Sequence, residues 1–252
     1  MTMTRSKSDQ LPVKSPEDTA LRSTSIAHLK SDQLSGRPLT LEVFSADGDH
    51  VIEGVLRAPD GRWVPILDGV PSFLTGVLQQ DLTAFAERHS LPYRATTARA
   101  AAAQQAKTNE TFSDKWTRFK NYGIEPQHEE FLFGWYCKKL GLASREDLKA
   151  FYAKRTRVLE CGPGSGFNTK FIAENCPGEV FALDVSAAAF TTFENTRHLA
   201  SCSVVQADLM EAPFPDNHFD FIIADGVLHH TPDTRAAVEA LYEKVAPGGQ
   251  FF

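Results

Sequence analysis

The sequence predicts an α/β fold, a doubly wound, mostly parallel sheet preceded by a small β module and a helical cap. Three observations predict it. From Thr156 onward, strand-like and helix-like runs alternate, which implies βαβ units and a parallel sheet. Between the first strand and the first helix of that region stand three closely spaced glycines, Gly162, Gly164 and Gly166. Upstream, residues 39–78 alternate short β-prone runs with Asp-Gly turns, whereas residues 79–155 carry apolar positions at helical spacing.

Residues 1–38 are rich in Ser, Thr, Asp, Lys and Gln, and such a segment buries too little surface to offset its ordering entropy. They are expected to form a disordered tail. The tail holds one short repeat, KSDQL at Lys7–Leu11 and Lys30–Leu34, read as compositional drift because solenoid architectures need at least ~3 copies. Residues 39–78 carry turn signals at Asp47-Gly48, Asp60-Gly61 and Asp68-Gly69 and are expected to form hairpins. The module's stability is expected from burial of Val43, Val55, Leu56, Trp63, Ile66 and Phe73. In residues 79–155, Leu82, Phe85 and Ala86, then Phe112, Trp116 and Phe119, then His128–Leu142 and Arg145–Ala153, give successive helical patterns. Phe112, Trp116 and Phe119 share one helical face, and packing against the core is favoured over contact with a ligand.

The last region, 156–252, reads strand (Arg157–Cys161), helix (Ser165–Glu174), strand (Glu179–Asp184), helix (Ser186–Leu199), strand (Ser203–Gln206), strand (Phe219–Ala224) and helix (Thr234–Val245). A chain of 252 residues with 42% hydrophobic content is long enough for one sizeable core, or a core plus a small extra domain. The net charge of −6 gives no electrostatic footprint for nucleic acid, and no nucleic-acid partner is expected. Cys137, Cys161, Cys176 and Cys202 form no C-x-x-C pair and suggest neither a disulfide framework nor a metal knuckle. The opening MTMTRSKSDQ lacks the apolar core of a signal peptide, and the longest apolar stretch, near Phe131–Tyr136, is too short to cross a bilayer. The expectation is a soluble, cytoplasmic protein without a membrane span and of unknown oligomeric state.

The chemistry gathers at the strand ends. The first strand runs into VLECGPGSG. Its glycines let the backbone turn tightly beside a ligand, and the following helix N-terminus can seat a carboxylate. The spacing is G-x-G-x-G, shorter than the G-x-G-x-x-G of a dinucleotide site. Glu160 precedes the loop and suits an ammonium. The second strand ends in Asp184-Val185, 22 positions after Gly162 and close to the ~20 at which an acid meets ribose hydroxyls. A carboxylate there can accept two hydrogen bonds from a vicinal diol; helix capping at this point is better assigned to Ser186. Downstream come Asp208-Leu209, Pro213-Phe214, Asp216, Phe219-Asp220, Asp225-Gly226, Leu228-His229-His230 with Asp233, and then LYEKVAPGG.

In this order, over roughly Thr156 to Phe252, these motifs resemble the class I, Rossmann-like S-adenosylmethionine-dependent methyltransferases. The resemblance implies S-adenosyl-L-methionine as cofactor and transfer of a methyl group to an O, N or C nucleophile of a small-molecule acceptor. It implies that Glu160, Gly162, Gly164 and Gly166 line the methionine end, and that Asp184, with Val185, holds the ribose. Asp208 and Leu209 then meet the adenine edge, while Asp225 and Gly226 lie near the sulfonium. No catalytic residue is assigned. His229 and His230 are candidates for a general base, but a role in holding the loop over the cofactor is favoured.

Two other readings stand beside this one, a cofactor-binding protein without turnover and a nucleotide-dependent oxidoreductase. EGVLRAPDGRWVPILDGVPSFL in the small module resembles the short domain fused to methyltransferases or serving beside them as an activator subunit. Arg57 and Asp60 stand where that family has zinc cysteines, so no metal site is expected. In the methyltransferase family a helix and a β-hairpin follow the Pro-Gly-Gly strand. The sheet is therefore expected to be C-terminally incomplete, truncated at the fifth strand.

Overall fold

The computed structural model describes residue 29 and residues 38–94 and 103–252. The KSDQL repeat lies outside the described residues, as does the 1–38 tail apart from Leu29 and Pro38. Leu29 departs from the expectation of disorder: it is 3% exposed, within the main core.

The amino-terminal module is an antiparallel meander, β1 (Thr40–Asp47), β2 (His50–Arg57), β3 (Trp63–Leu67) and β4 (Val70–Pro71), in the order β1-β2-β3-β4. Leu67 pairs with Val70 across the two-residue turn Asp68-Gly69. Both turn residues have positive φ, 44° and 87°, the combination whose twist matches that of a tight hairpin and which Asp-Gly supplies at low cost.

Strands β2 and β3 are covered on both faces. Leu56, Val64 and Ile66 enter the same core as Leu159, Phe181 and Val205. Val55 faces the other way, onto Phe85, Ala86 and Leu91. Phe85 and Ala86 belong to α1 (Thr83–Arg88), so this helix packs on the meander rather than joining the cap, and the module extends past residue 78. Of the residues expected to stabilise it, Val55, Leu56, Ile66 and Phe73 are buried, Trp63 is half-buried, and Val43 is 48% exposed because outer strand β1 has solvent on one face.

Three helices lead into the parallel sheet: α2 (Ala103–Arg118), α3 (Pro126–Leu140) and α4 (Arg145–Tyr152). Proline at its first position starts α3, and left-handed Gly141 ends it. Ser144 caps α4 by accepting from the Asp147 N–H at 3.1 Å. The parallel strands are β5 (Arg157–Cys161), β6 (Glu179–Asp184), β7 (Cys202–Gln206), β8 (Phe219–Ile223) and β9 (Val245–Phe251). Between them run α5 (Phe167–Asn175), α6 (Ala188–Thr196) and α7 (Thr234–Glu243). The order is β7-β6-β5-β8-β9, with every pairing parallel. Central strands of such a sheet are covered on both faces and read as continuous apolar runs, which explains VLEC and VFAL.

The order reverses between β5 and β8, and ligands of open α/β sheets bind outside the carboxyl ends of strands at such a point. The far edge, β7, is covered by the module: the Phe73 N–H donates to the Gln206 carbonyl at 2.7 Å, and Ser72 bridges Gln206 in parallel. Among the described residues, no helix is long and apolar enough to cross a membrane.

Candidate functional site

The carboxyl ends of β5, β6, β7 and β8 surround a cavity of about 230 Å³. Gly162, Asp184, Val185, Asp208, Leu209, Asp225 and Gly226 line it. Glu160, Gly164, Gly166 and His229 do not, while His230 stands at its rim with Thr231. The rest of the wall comes largely from α2, through Asn109, Phe112, Lys115 and Trp116. A tighter cavity of about 70 Å³ lies between the meander and β7, lined mainly by apolar side chains such as Leu56, Ile66, Phe181 and Val205. None of Glu160, Asp184, Asp208 or Asp225 reaches it.

Asp184 is 8% exposed, and Oδ1 accepts from the Ser186 N–H at 2.8 Å and from the Ser186 hydroxyl at 2.7 Å. Burial pushes its carboxyl above the ordinary range, while backbone donors at Ser186, Gly164 and Val185 pull the other way. Ser186 also accepts from the Ala188 N–H at 3.1 Å, so it organises the first turn of α6, and that helix starts two residues later than expected.

Glu160 is 5% exposed and withdrawn behind the glycine loop. Asn168 Nδ2 donates to Oε1 at 2.9 Å, and the Thr169 hydroxyl donates to Oε2. Burial, with a smaller contribution from the Asp225 charge, pushes this carboxyl up to about 7. The phenol of Tyr136 is likewise pushed up, first by burial and then by the charges of Glu160 and Asp225. Lys139 from α3 donates to Asp225 Oδ1, with its ammonium 4.6 Å from the Trp135 ring centre. At this end Asp225 lines the cavity paired with the Lys139 ammonium, and the buried Glu160 carboxyl lies behind it.

Trp116 roofs the glycine loop. A Cβ on Gly164 would lie 2.6 Å from the indole, and the φ of +62° there suits glycine. The loop geometry thus serves close packing of α2 as well as any ligand. Helix α2 is held by the Ala187 N–H, which donates to Ser113 Oγ at 3.0 Å, and by Thr191 Oγ1, which donates to the Trp116 carbonyl at 3.4 Å. Phe112 and Trp116 line the cavity, against the expectation of core packing, and Phe119 is 58% exposed. Their common helical face was legible; which surface it would meet depended on the long-range seating of α2. Asn109, Lys115, Val227 and Thr231 carried no local signal.

His230 lies against Phe112, with ring centres 4.8 Å apart, and beside His229 at 3.9 Å. Burial, then the charges of His229 and Lys115, lower its pKa below the ordinary imidazole value.

Several motif residues serve the fold. Asp220 Oδ2 accepts from the Thr156 N–H and hydroxyl, both at 2.6 Å, and from the Arg157 N–H at 3.2 Å, locking β8 to the start of β5. Asp233 caps α7 by accepting from the Ala236 N–H at 2.9 Å. Asp216 pairs with Lys244 at 2.6 Å. Phe214 is buried, 5.0 Å from the Phe219 ring. Asp208 combines both roles: it lines the cavity, and Oδ1 accepts from the Met210 N–H at 2.9 Å.

Residues 159–252 match the family described as methyltransferase domain. An uncharacterized methyltransferase of Mycobacterium bovis is 34% identical over 92 residues, 36% of this chain and 46% of that protein, so the chain spans about half the length of this relative. Demethylmenaquinone methyltransferase of a Geobacillus species is 34% identical over 76 residues, 29% of this chain and 32% of that protein. The solved structure of the N-methyltransferase NodS from Bradyrhizobium japonicum, in complex with S-adenosyl-L-homocysteine, is 19% identical, covers 57% of this chain and 70% of its own, and has a TM-score of 0.44. With the motif order, the all-parallel β7-β6-β5-β8-β9 sheet and the match over residues 159–252, this chain carries a methyltransferase domain of the class I, Rossmann-like kind.

Proposed function

We propose that the cavity binds S-adenosyl-L-methionine and that the protein transfers its methyl group to an O, N or C nucleophile of a small-molecule acceptor. The observation that carries this reading is the convergence of Gly162, Asp184, Asp208 and Asp225 on one cavity at the carboxyl ends of four parallel strands. The donor set fits the cofactor. A buried Asp184 with Oδ1 already engaged by Ser186 gains from the hydroxyls of a ribose diol, because hydrogen bonding to a desolvated carboxylate offsets its burial. Asp208 and Leu209 line the same cavity and are assigned to the adenine edge. Asp225 presents negative charge at the other end, with the buried Glu160 carboxyl behind it, and the cofactor's ammonium and sulfonium would be favoured there.

When bound, the cofactor supplies an electrophilic methyl group on a sulfonium. The chain's own contribution is alignment and exclusion of water. Trp116 and Phe112 cover the cavity from α2, and Asp184 and Asp208 hold the nucleoside side. His230 lines the cavity with its pKa below the ordinary imidazole value, which favours the neutral ring that can accept a proton from an acceptor hydroxyl or ammonium.

Calorimetric titration with S-adenosyl-L-methionine and with NAD tests the cofactor. Saturable binding of the first and none of the second is expected, and the reverse would overturn the reading. Asp184→Ala should weaken binding at least about tenfold, since it removes charge-assisted hydrogen bonds of ~1.5–3 kcal/mol each. Incubation of acceptor panels with radiolabelled methyl donor tests turnover. A protein that binds the cofactor and labels no acceptor would support the binding-only alternative.

A further inference from the structure

The module and the nucleoside side of the cavity are joined by a buried chain of hydrogen bonds. Ser72, immediately after β4, donates from Oγ to Gln206 Oε1 at 2.8 Å. Gln206, the last residue of β7, donates from Nε2 to the Ser186 carbonyl at 3.2 Å. Ser186 in turn donates to Asp184 Oδ1 from both its N–H and its hydroxyl. All four side chains are buried. The backbone runs parallel to them: Asp184 and Gln206 are register partners, and the Ala207 N–H donates to the Asp184 carbonyl at 3.1 Å.

We infer that Ser72 and Gln206 are positioning residues for Asp184, and that through them the amino-terminal sheet sets the geometry of the carboxylate assigned to the ribose. This rests on the cofactor reading above. The docking of the meander does not need these polar groups. Leu56, Val64 and Ile66 already seat it against Phe181 and Val205, and the Phe73 N–H already pairs with the edge of β7. A buried amide costs free energy unless its donor and acceptor are both matched, so an apolar residue at position 206 would serve docking at least as well.

What the amide adds is direction. Its oxygen faces a hydroxyl on the module, and its nitrogen faces the carbonyl of the residue that grips Asp184. Loss of the Ser72 hydroxyl frees the amide to rotate away from Ser186. The Ser186 turn then loses a donor, and Asp184 loses the fixed partner of one oxygen.

The test is cofactor affinity in a double-mutant cycle on the full chain, read by calorimetry with S-adenosyl-L-methionine, beside thermal melts of each protein. Ser72→Ala should weaken binding about three- to tenfold, the scale of one hydrogen bond, while the thermal melt stays cooperative. Ser72→Thr, which keeps the hydroxyl, should restore affinity, and Gln206→Leu should weaken it at least as much as Ser72→Ala. In an Asp184→Ala background the effect of Ser72→Ala should vanish, because coupled residues are non-additive. Equal losses in both backgrounds, or parental affinity in Ser72→Ala beside a weakened Asp184→Ala, would overturn the positioning role and leave the ribose assignment standing. Parental affinity in Asp184→Ala would overturn both. Should Gln206→Leu fail to fold, the Ser72 arm carries the test alone.

Discussion

Glu160→Gln isolates a buried charge whose cost can be worked from the structure. In the folded protein the carboxyl is pushed up to about 7 from an ordinary 4.5. Between those values the native state holds a proton that the unfolded chain has released. Because the native state binds more protons than the unfolded state, stability falls as pH rises through this window. At ~1.36 kcal/mol per pH unit the loss is about 3 kcal/mol between pH 4.5 and pH 8. Glutamine carries no charge to desolvate, so the variant lacks this slope. It has its own fixed cost of ~1–3 kcal/mol, because its amide places a donor against one of the two donors, Asn168 Nδ2 and Thr169 Oγ1, that now feed the carboxylate. The two stability curves should therefore converge or cross, with the variant weaker at pH 5 and equal or stronger above pH 8. Urea denaturation at half-unit pH steps measures this. Asp184, whose carboxyl burial also pushes up, is common to both proteins and cancels in the difference.

Cofactor binding gives the same group a second readout. A cation brought to the Asp225 end of the cavity favours the ionised form of the Glu160 carboxyl behind it. Binding near pH 6 should then release up to about one proton, visible as a dependence of the calorimetric heat on buffer ionisation, and Glu160→Gln should abolish it. Parallel stability curves for the two proteins, or the same buffer dependence in both, would refute the assignment of a strained, proton-holding Glu160.

Three further outcomes are expected. Gly164→Ala should cost about 1–3 kcal/mol in urea denaturation, since it sets a Cβ 2.6 Å from the Trp116 indole at a φ of +62°, and adding Trp116→Leu should recover part of the loss. Asp220→Ala should cost about 2 kcal/mol by leaving the Thr156 and Arg157 N–H groups without their acceptor, while cofactor affinity measured by calorimetry stays at the parental value. If His230 is the acceptor-side base, kcat/KM should show an acid limb below the ordinary imidazole value of 6.5, set by burial with His229 and Lys115 alongside, and His230→Gln should remove that limb from the pH–rate profile.

The parallel sheet was legible because each strand is a short apolar run followed by a residue with a distinct task, so that Glu160, Asp184 and Asp208 marked the strand ends within a residue or two. The meander was legible from Asp68-Gly69, whose backbone geometry few other pairs adopt. What escaped depends on partners distant in the chain. Nothing local tells Phe85 to face Val55, or Trp116 to face Gly164 rather than a core residue. The withdrawal of Glu160 behind its loop depends on Asn168 and Thr169, which read as ordinary helix residues in sequence. Asp220 and Asp233 were read within a motif, and a motif does not separate the residues that hold a turn from those that meet a ligand.

The seating of the meander on β7 also orders events during synthesis. Ser72 and Gln206 are 134 residues apart in the chain, so the ribosome completes the meander long before its docking surface exists. In that interval Leu56, Val64 and Ile66 form an apolar face with no partner, the kind of surface on which nascent chains aggregate. Closing so long a loop is slow, and the edge of β7 stays open until it closes. Hydrogen-exchange pulse labelling during refolding should therefore show the amide of Phe73 protected later than those of β2 and β3, and early coverage of Phe73 would place docking ahead of assembly of the parallel sheet.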